Sequence, residues 1–168
     1  MIGKSSDVYR ESLFLKKKFS FDYFVSKSFE EDKFTFKSLK KCLDHIKNVR
    51  GIYDDRDKLE ALEIPEHLTI FVASLEDFET VEIDTPNLDI VIAPKVVFKN
   101  HQAFLVKARD VRIDGGIYAF QSFNEKNKAI VSNGARTFVN NVKLINTTVF
   151  GGIENVENPP LTYEEYKI

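Results

Sequence analysis

The chain has 168 residues, enough for one domain with a substantial core, since a domain of this size buries roughly 70% of the surface that its unfolded chain exposes. Lysine plus arginine (24) nearly balance aspartate plus glutamate (26), and the net charge of -2 argues against nucleic acid or an anionic membrane as partner. One cysteine excludes an intrachain disulfide, and no apolar run approaches the ~20 residues of a membrane span.

Residues 1–34 are rich in phenylalanine and lysine. Phe19 and Phe21 alternate with polar residues, which indicates a half-buried strand. This segment is either a strand packed on the domain or an arm that inserts Phe19, Phe21 and Phe24 into a neighbouring subunit. The first residues lack the apolar segment of a secretory signal peptide, so we expect none.

Residues 36–48 predict an amphipathic helix, because apolar residues recur there at three- and four-residue spacing: Phe36, Leu39, Cys42, Leu43 and Ile46. Thr35 is the expected N-cap. Cys42 lies in the apolar stripe and is interpreted as a small buried hydrophobe rather than a reactive thiol. The charged stretch 52–63 predicts a loop or one short helix, which Pro65 ends.

After Pro65 the hydrophobic period changes to two, as in short strands bounded by turn residues. The alternating residues are Leu68, Ile70 and Val72; Val81 and Ile83; Leu88, Ile90 and Ile92; Val96 and Phe98; Val111 and Ile113; and Val142 and Leu144.

Internal similarity is the most informative feature of this half of the chain. Residues 108–118 resemble residues 140–150, which sets Val111 and Val142 31 residues apart. Leu88 precedes Val111 by 23 residues, and the apolar segments that begin at Ala103 and Ala129 are 26 apart. Unequal steps of about two dozen residues are typical of a solenoid whose insertions leave at the corners. The polar stretch 121–128 is one such loop, and Asn and Gly suit left-handed corner positions.

Region 36–152 resembles the pectate-lyase-like right-handed β-helix class, especially phage tail-spike and fibre domains. The resemblance implies that Phe36–Leu43 forms a helix over one end of the coil stack and that Pro65–Val72 enters the first strand. The predicted fold is therefore mainly β, a short right-handed parallel β-helix of three to four coils with an N-terminal capping helix. A small β-sandwich is the alternative. The predicted divisions are an aromatic arm (1–34), the β-helix domain (35–153) and an extended tail (154–168).

Candidate chemistry is sparse. The three histidines, His45, His67 and His101, have no metal-ligand spacing, and we expect neither metal nor cofactor. If the chain is an enzyme, the best catalytic candidates are Asp110, Arg112 and Asp114, which alternate on one outer face. Neighbouring coils are expected to add Asp89 and Lys143. The alternative interpretation of these residues is an ordinary solvated face.

These patterns favour a non-catalytic structural or adhesive component of a phage virion, assembled in the host cytoplasm. Expected partners are further copies of the chain, a trimer being usual in fibrous virion proteins, together with other virion proteins and surface glycans. We expect no nucleic acid and no membrane insertion. The alternative function is a polysaccharide lyase or hydrolase, or a carbohydrate-binding β-helix protein.

Overall fold

The structure, a computed structural model, describes residues 21–50, 57, 61 and 66–154. This part contains the helix α1 (Leu39–Arg50) and twelve strands. The strands are β1 (Tyr23–Val25), β2 (Thr35–Phe36), β3 (Leu68–Val72), β4 (Val81–Ile83), β5 (Leu88–Ile92), β6 (Val97–Lys99), β7 (Phe104–Val106), β8 (Val111–Asp114), β9 (Ile117–Ala119), β10 (Lys128–Asn140), β11 (Lys143–Ile145) and β12 (Thr148–Glu154).

The strands form the three faces of a parallel β-solenoid of about 4 turns. The first face contains β1, β3, β5, β8 and the end of β10. The second face contains β6, β9 and β11. The third contains β4, β7 and the starts of β10 and β12, and the end of β12 continues beside the end of β10 on the first face. Every described strand pair is parallel, which confirms the solenoid and excludes the β-sandwich for this part of the chain.

The strand register shows which sequence steps correspond to one turn. Leu88 pairs with Val111, and Phe104 pairs with Ile130, so the predicted steps of 23 and 26 residues are confirmed. The 31-residue step is wrong, because Val111 pairs with Thr137 on the first face, whereas Val142 directly precedes β11 on the second. Strands on all faces carry the same inward alternation, and this makes segments of different faces look alike.

A single apolar column fills the solenoid. Every alternating residue of the predicted strands is buried: Leu68, Ile70, Val72, Val81, Ile83, Leu88, Ile90, Ile92, Val96, Phe98, Val111, Ile113, Val142 and Leu144. Full burial of each aliphatic side chain stabilises the fold by about 1.5–3 kcal/mol. Inside the column the rings of Phe98 and Tyr118 stack with centroids 5.0 Å apart, and Phe104 meets Tyr118 edge-on.

The corners use left-handed backbone, as predicted. In successive turns Asn87 precedes β5, Asp110 precedes β8, and Arg136 precedes the first-face part of β10, with φ of 58°, 56° and 58°. The following corner has Gly115 at 97° and Asn141 at 54°. Asn and Asp adopt this conformation at lower cost than other side-chain-bearing residues. The loop 121–127 is almost entirely exposed, as expected of a corner insertion.

Helix α1 lies beside β1, β2 and β4 at the N-terminal end of the solenoid, and its apolar stripe joins the core. It begins at Leu39 rather than Phe36, because Thr35 and Phe36 pair with β1 as strand β2. Thr35 is therefore not the N-cap. Cys42 is 0% exposed, and burial raises the pKa of its thiol, which confirms its interpretation as a small hydrophobe.

Phe21 and Phe24 of the predicted arm pack against Phe71 within the same chain. The ring centroids of Phe21 and Phe24 lie 5.7 Å and 6.1 Å from that of Phe71. Strand β1 adds to the first face beside β3. The assembly role of these two residues stays a prediction, and Phe19 lies outside the described residues.

Two further predicted segments fall largely outside the described residues. In the charged stretch 52–63 only Asp57 and Ala61 are described, and both are helical. The tail from 155 to 168 is not described, and β12 extends to Glu154.

Candidate binding groove on the first face

A groove of about 510 Å³ crosses the outer surface of the first face. Its lining comes from four successive turns of the first face: His67, Asn87, Asp89, Asp110, Arg112 and Phe138. Asp89 pairs in register with Arg112, and Arg112 with Phe138, so alternation places all three on the outside of one row. Asn87 and Asp110 are the corner residues that precede β5 and β8. We call this surface the first-face groove.

Asp110 is held between two guanidinium groups. Its Oδ2 lies 2.6 Å from Arg136 Nη2 and 3.3 Å from Arg109 Nη1. Arg109 also donates to Asn87 Oδ1 at 3.4 Å. The Asp110 side chain is 22% exposed, so these charge-assisted contacts are partly shielded from water and link three corners of the stack.

Asp89 has a different partner, since its Oδ1 lies 2.9 Å from Nε2 of His67. His67 directly precedes β3, so this contact joins the first turn to the second. Both carboxylates of the first-face groove therefore contact a basic side chain of the same chain.

Arg112 is the cation of the groove that faces solvent. Its guanidinium carbon lies 5.9 Å from the centre of the Phe138 ring, within the range of a cation–π contact. Among the described residues no carboxylate forms an ion pair with it. Its N–H donors are therefore open to a ligand that enters the groove.

The predicted catalytic candidates are only partly brought together. Asp110 and Arg112 line the first-face groove, but Asp114 lies two residues further along β8 and accepts a hydrogen bond from Asn141 Nδ2 at 2.9 Å. Lys143 is not a neighbour of this surface, because it pairs with Ile117 on the second face. That expectation followed from the mistaken 31-residue step.

Phe138 was missed for the same reason, and the 26-residue step would have placed it beside Arg112. His67 was interpreted as structural at the sequence level, and its contact with Asp89 joins two turns. The 20-residue step from Leu68 to Leu88, visible in the alternation, would have placed it near Asn87.

The titratable side chains of the groove contact one another or the corner arginines. A general acid or base must reach the reacting proton, and both groove carboxylates already contact basic side chains. An arginine above an aromatic ring instead supplies donors and a flat apolar surface. Within the described ranges no three His, Cys, Asp or Glu side chains group as metal ligands.

Comparison with family models, with curated proteins and with solved structures finds no match. The described part of the chain has no helix long and apolar enough to cross a membrane.

Proposed function

We propose that this chain is a non-catalytic structural and adhesive module that assembles with itself or with other proteins of a particle. Phage tail-spike and fibre domains, which the sequence resembles, have this kind of role. We further propose that the chain is part of a virion that is assembled in the host cytoplasm.

The observation that carries the proposal is the short parallel solenoid with a helix at one end. Strands of the inner turns are hydrogen-bonded on both sides, so the outer faces form a rigid support. At the other end, β11 is the terminal strand of the second face among the described strands. A strand edge of this kind favours pairing with a further chain segment.

Light scattering coupled to size-exclusion chromatography of the full chain tests self-assembly. We expect a mass that is a multiple of 19.4 kDa and that falls on dilution. A monomer that persists up to the highest soluble concentration would remove self-assembly from the proposal.

A second candidate function, carbohydrate binding, is favoured by the first-face groove. Sugars stack on aromatic rings and accept hydrogen bonds from planar donors, and Phe138 and Arg112 supply both. On a glycan array, Arg112→Ala and Phe138→Ala should each weaken any binding about tenfold, given the usual weight of aromatic and arginine contacts. Lys143→Ala, on the second face, is the matched control.

The same glycans separate binding from catalysis. Incubation with acidic polysaccharides should give neither new reducing ends nor unsaturated products. Product formation that disappears in Asp110→Ala or Asp114→Ala would instead establish the enzymatic alternative.

A further inference from the structure

Phe78 is the most exposed large hydrophobic residue in the described part of the chain. It is 83% exposed, compared with 65% for Phe123 and 61% for Phe150. It lies between β3 and β4, where the first turn has no strand on the second face. An isolated exposed phenylalanine is common, but this one stands between two grooves.

The backbone around Phe78 is anchored on the side that precedes it. Asp77 accepts hydrogen bonds from the backbone N–H groups of Leu39 at 2.6 Å and Lys40 at 3.2 Å. The N–H of Glu76 donates to the carbonyl oxygen of Lys37 at 3.0 Å. The Phe78 ring therefore projects from backbone that is hydrogen-bonded to α1. A contact made by this ring loses less conformational entropy on binding than one made from a mobile loop.

The two grooves share Asp77 and Phe78 and differ in charge. The first, of about 550 Å³, lies between α1 and β4 and is lined by two lysines and five carboxylates: Asp44, Asp77, Glu79, Glu82 and Asp84. We call it the acidic groove. The second, of about 400 Å³, borders the second face and is lined by Lys27, Lys95 and Lys99 with Asp77 as its one carboxylate. We call it the basic groove.

Part of this charge is already neutralised within the chain. Asp84 pairs with Lys47 at 2.9 Å, and Glu82 pairs with Lys107 at 3.1 Å. Asp44 and Glu79 form no ion pair with a described residue, and the same is true of Lys95 and Lys99 in the basic groove. Each side of Phe78 thus retains charge for an external partner.

We propose that the partner is a second copy of this chain, docked through a two-fold axis that passes beside Phe78. When two copies are related by a two-fold axis that lies in their interface, the left side of the contact surface on one copy faces the right side of the same surface on the other. The acidic groove of one copy then faces the basic groove of the other, twice, with the two Phe78 rings packed at the centre. This inference rests on the proposed self-assembly and names the surface that performs it.

Sedimentation equilibrium of the full chain tests the central ring. Phe78→Glu should weaken self-association about tenfold or more, as expected for an aromatic residue at the centre of an interface. Phe123→Glu is the matched control, an exposed phenylalanine on the 121–127 loop, and should leave association unchanged. Because Phe78 is exposed, far-UV circular dichroism and the thermal midpoint of Phe78→Glu should match the wild type.

Charge reversal tests the pairing of the grooves without touching Phe78. Lys95→Glu with Lys99→Glu makes both sides acidic, and Asp44→Lys with Glu79→Lys makes the acidic side more basic. Each double variant alone should associate more weakly than wild type. An equimolar mixture of the two should regain association, because each copy then presents the charge that the other lacks.

The possible outcomes distinguish an error in the Phe78 surface from an error in the proposed self-assembly. A wild-type oligomer unaffected by Phe78→Glu would overturn the surface and leave self-assembly standing. A wild-type monomer would overturn both. Failure of the mixed charge variants to associate better than either alone would contradict the two-fold pairing of the grooves.

Discussion

At the scale of single residues, the corner after β8 depends on a glycine. Gly115 has a φ of 97°, and a Cβ there would overlap the carbonyl oxygen of Ile92 in the turn below. The sequence predicted left-handed corners from Asn and Gly, but the close approach of two turns follows only from the stacking.

Gly115→Ala should therefore lower the free energy of unfolding by about 2 kcal/mol or more, from left-handed strain and the overlap together. Urea denaturation measures the change. Asn141→Gly, at the same corner one turn later, loses the exposed hydrogen bond to Asp114 but adopts the φ of 54° freely, so the free energy should change by less than about 1 kcal/mol. Equal losses in the two variants would contradict this account of the corner.

Tyr118 gives a residue-scale prediction about pH. Its hydroxyl donates to the carbonyl oxygen of Gly115 at 2.9 Å, and burial raises the pKa of its phenol well above the usual value. The folded state therefore favours the neutral phenol. The stability this contributes is fully present below the unfolded pKa of about 10 and is lost as the pH rises above it.

Urea midpoints measured between pH 7 and 11 should fall above about pH 10, and the fall should be shallower in Tyr118→Phe, which cannot ionise. At pH 7 the same variant should lose about 1 kcal/mol with its hydrogen bond. Tyr23 and Cys42, whose pKa values are also raised by burial, leave a residual slope, and the contribution of the Cys42 thiol begins near its unfolded pKa of about 8.5. An unchanged slope in Tyr118→Phe would contradict the buried neutral phenol.

At the scale of elements, the capping helix shows what a local pattern can and cannot predict. Its apolar stripe was correctly predicted, since Leu39, Cys42, Leu43 and Ile46 are buried. Its predicted start was wrong, because Thr35 and Phe36 pair with β1 residues that lie eleven positions earlier in the chain. The cap that Asp77 provides comes from a loop 38 residues beyond Leu39, a distance at which local patterns carry no signal.

Asp77→Ala should lower the free energy of unfolding by about 1 kcal/mol, because two backbone N–H groups at the start of α1 lose their acceptor. Ser38→Ala, which removes the bond from the Lys41 N–H to Ser38 Oγ, is the local comparison. Asp77→Asn keeps one acceptor oxygen and should lose less. No loss in Asp77→Ala would mean that α1 is held by its apolar face alone.

At the scale of the whole molecule, the solenoid could be predicted because most inward positions are apolar and the spacing repeats. Ser132 and Thr137 of β10 are buried polar exceptions, and their hydroxyl groups hydrogen-bond to each other. Which strands stack on one another in successive turns could not be predicted from the sequence, because β8 and β11 show the same hydrophobic alternation although they lie on different faces. Because of that error, Phe138 was not predicted to lie beside Arg112, and Lys143 was wrongly predicted to lie there. The candidate site was therefore found only in part: Asp110 and Arg112 lie in one groove, whereas Asp114 has its own partner.

The stacking of turns is tested most directly by backbone nuclear Overhauser effects in the full chain. The parallel solenoid predicts contacts of Ile113 with both Ile90 and Val139, and of Val111 with Thr137. Close Hα–Hα contacts between antiparallel strands, or pairing of Val111 with Val142, would contradict it.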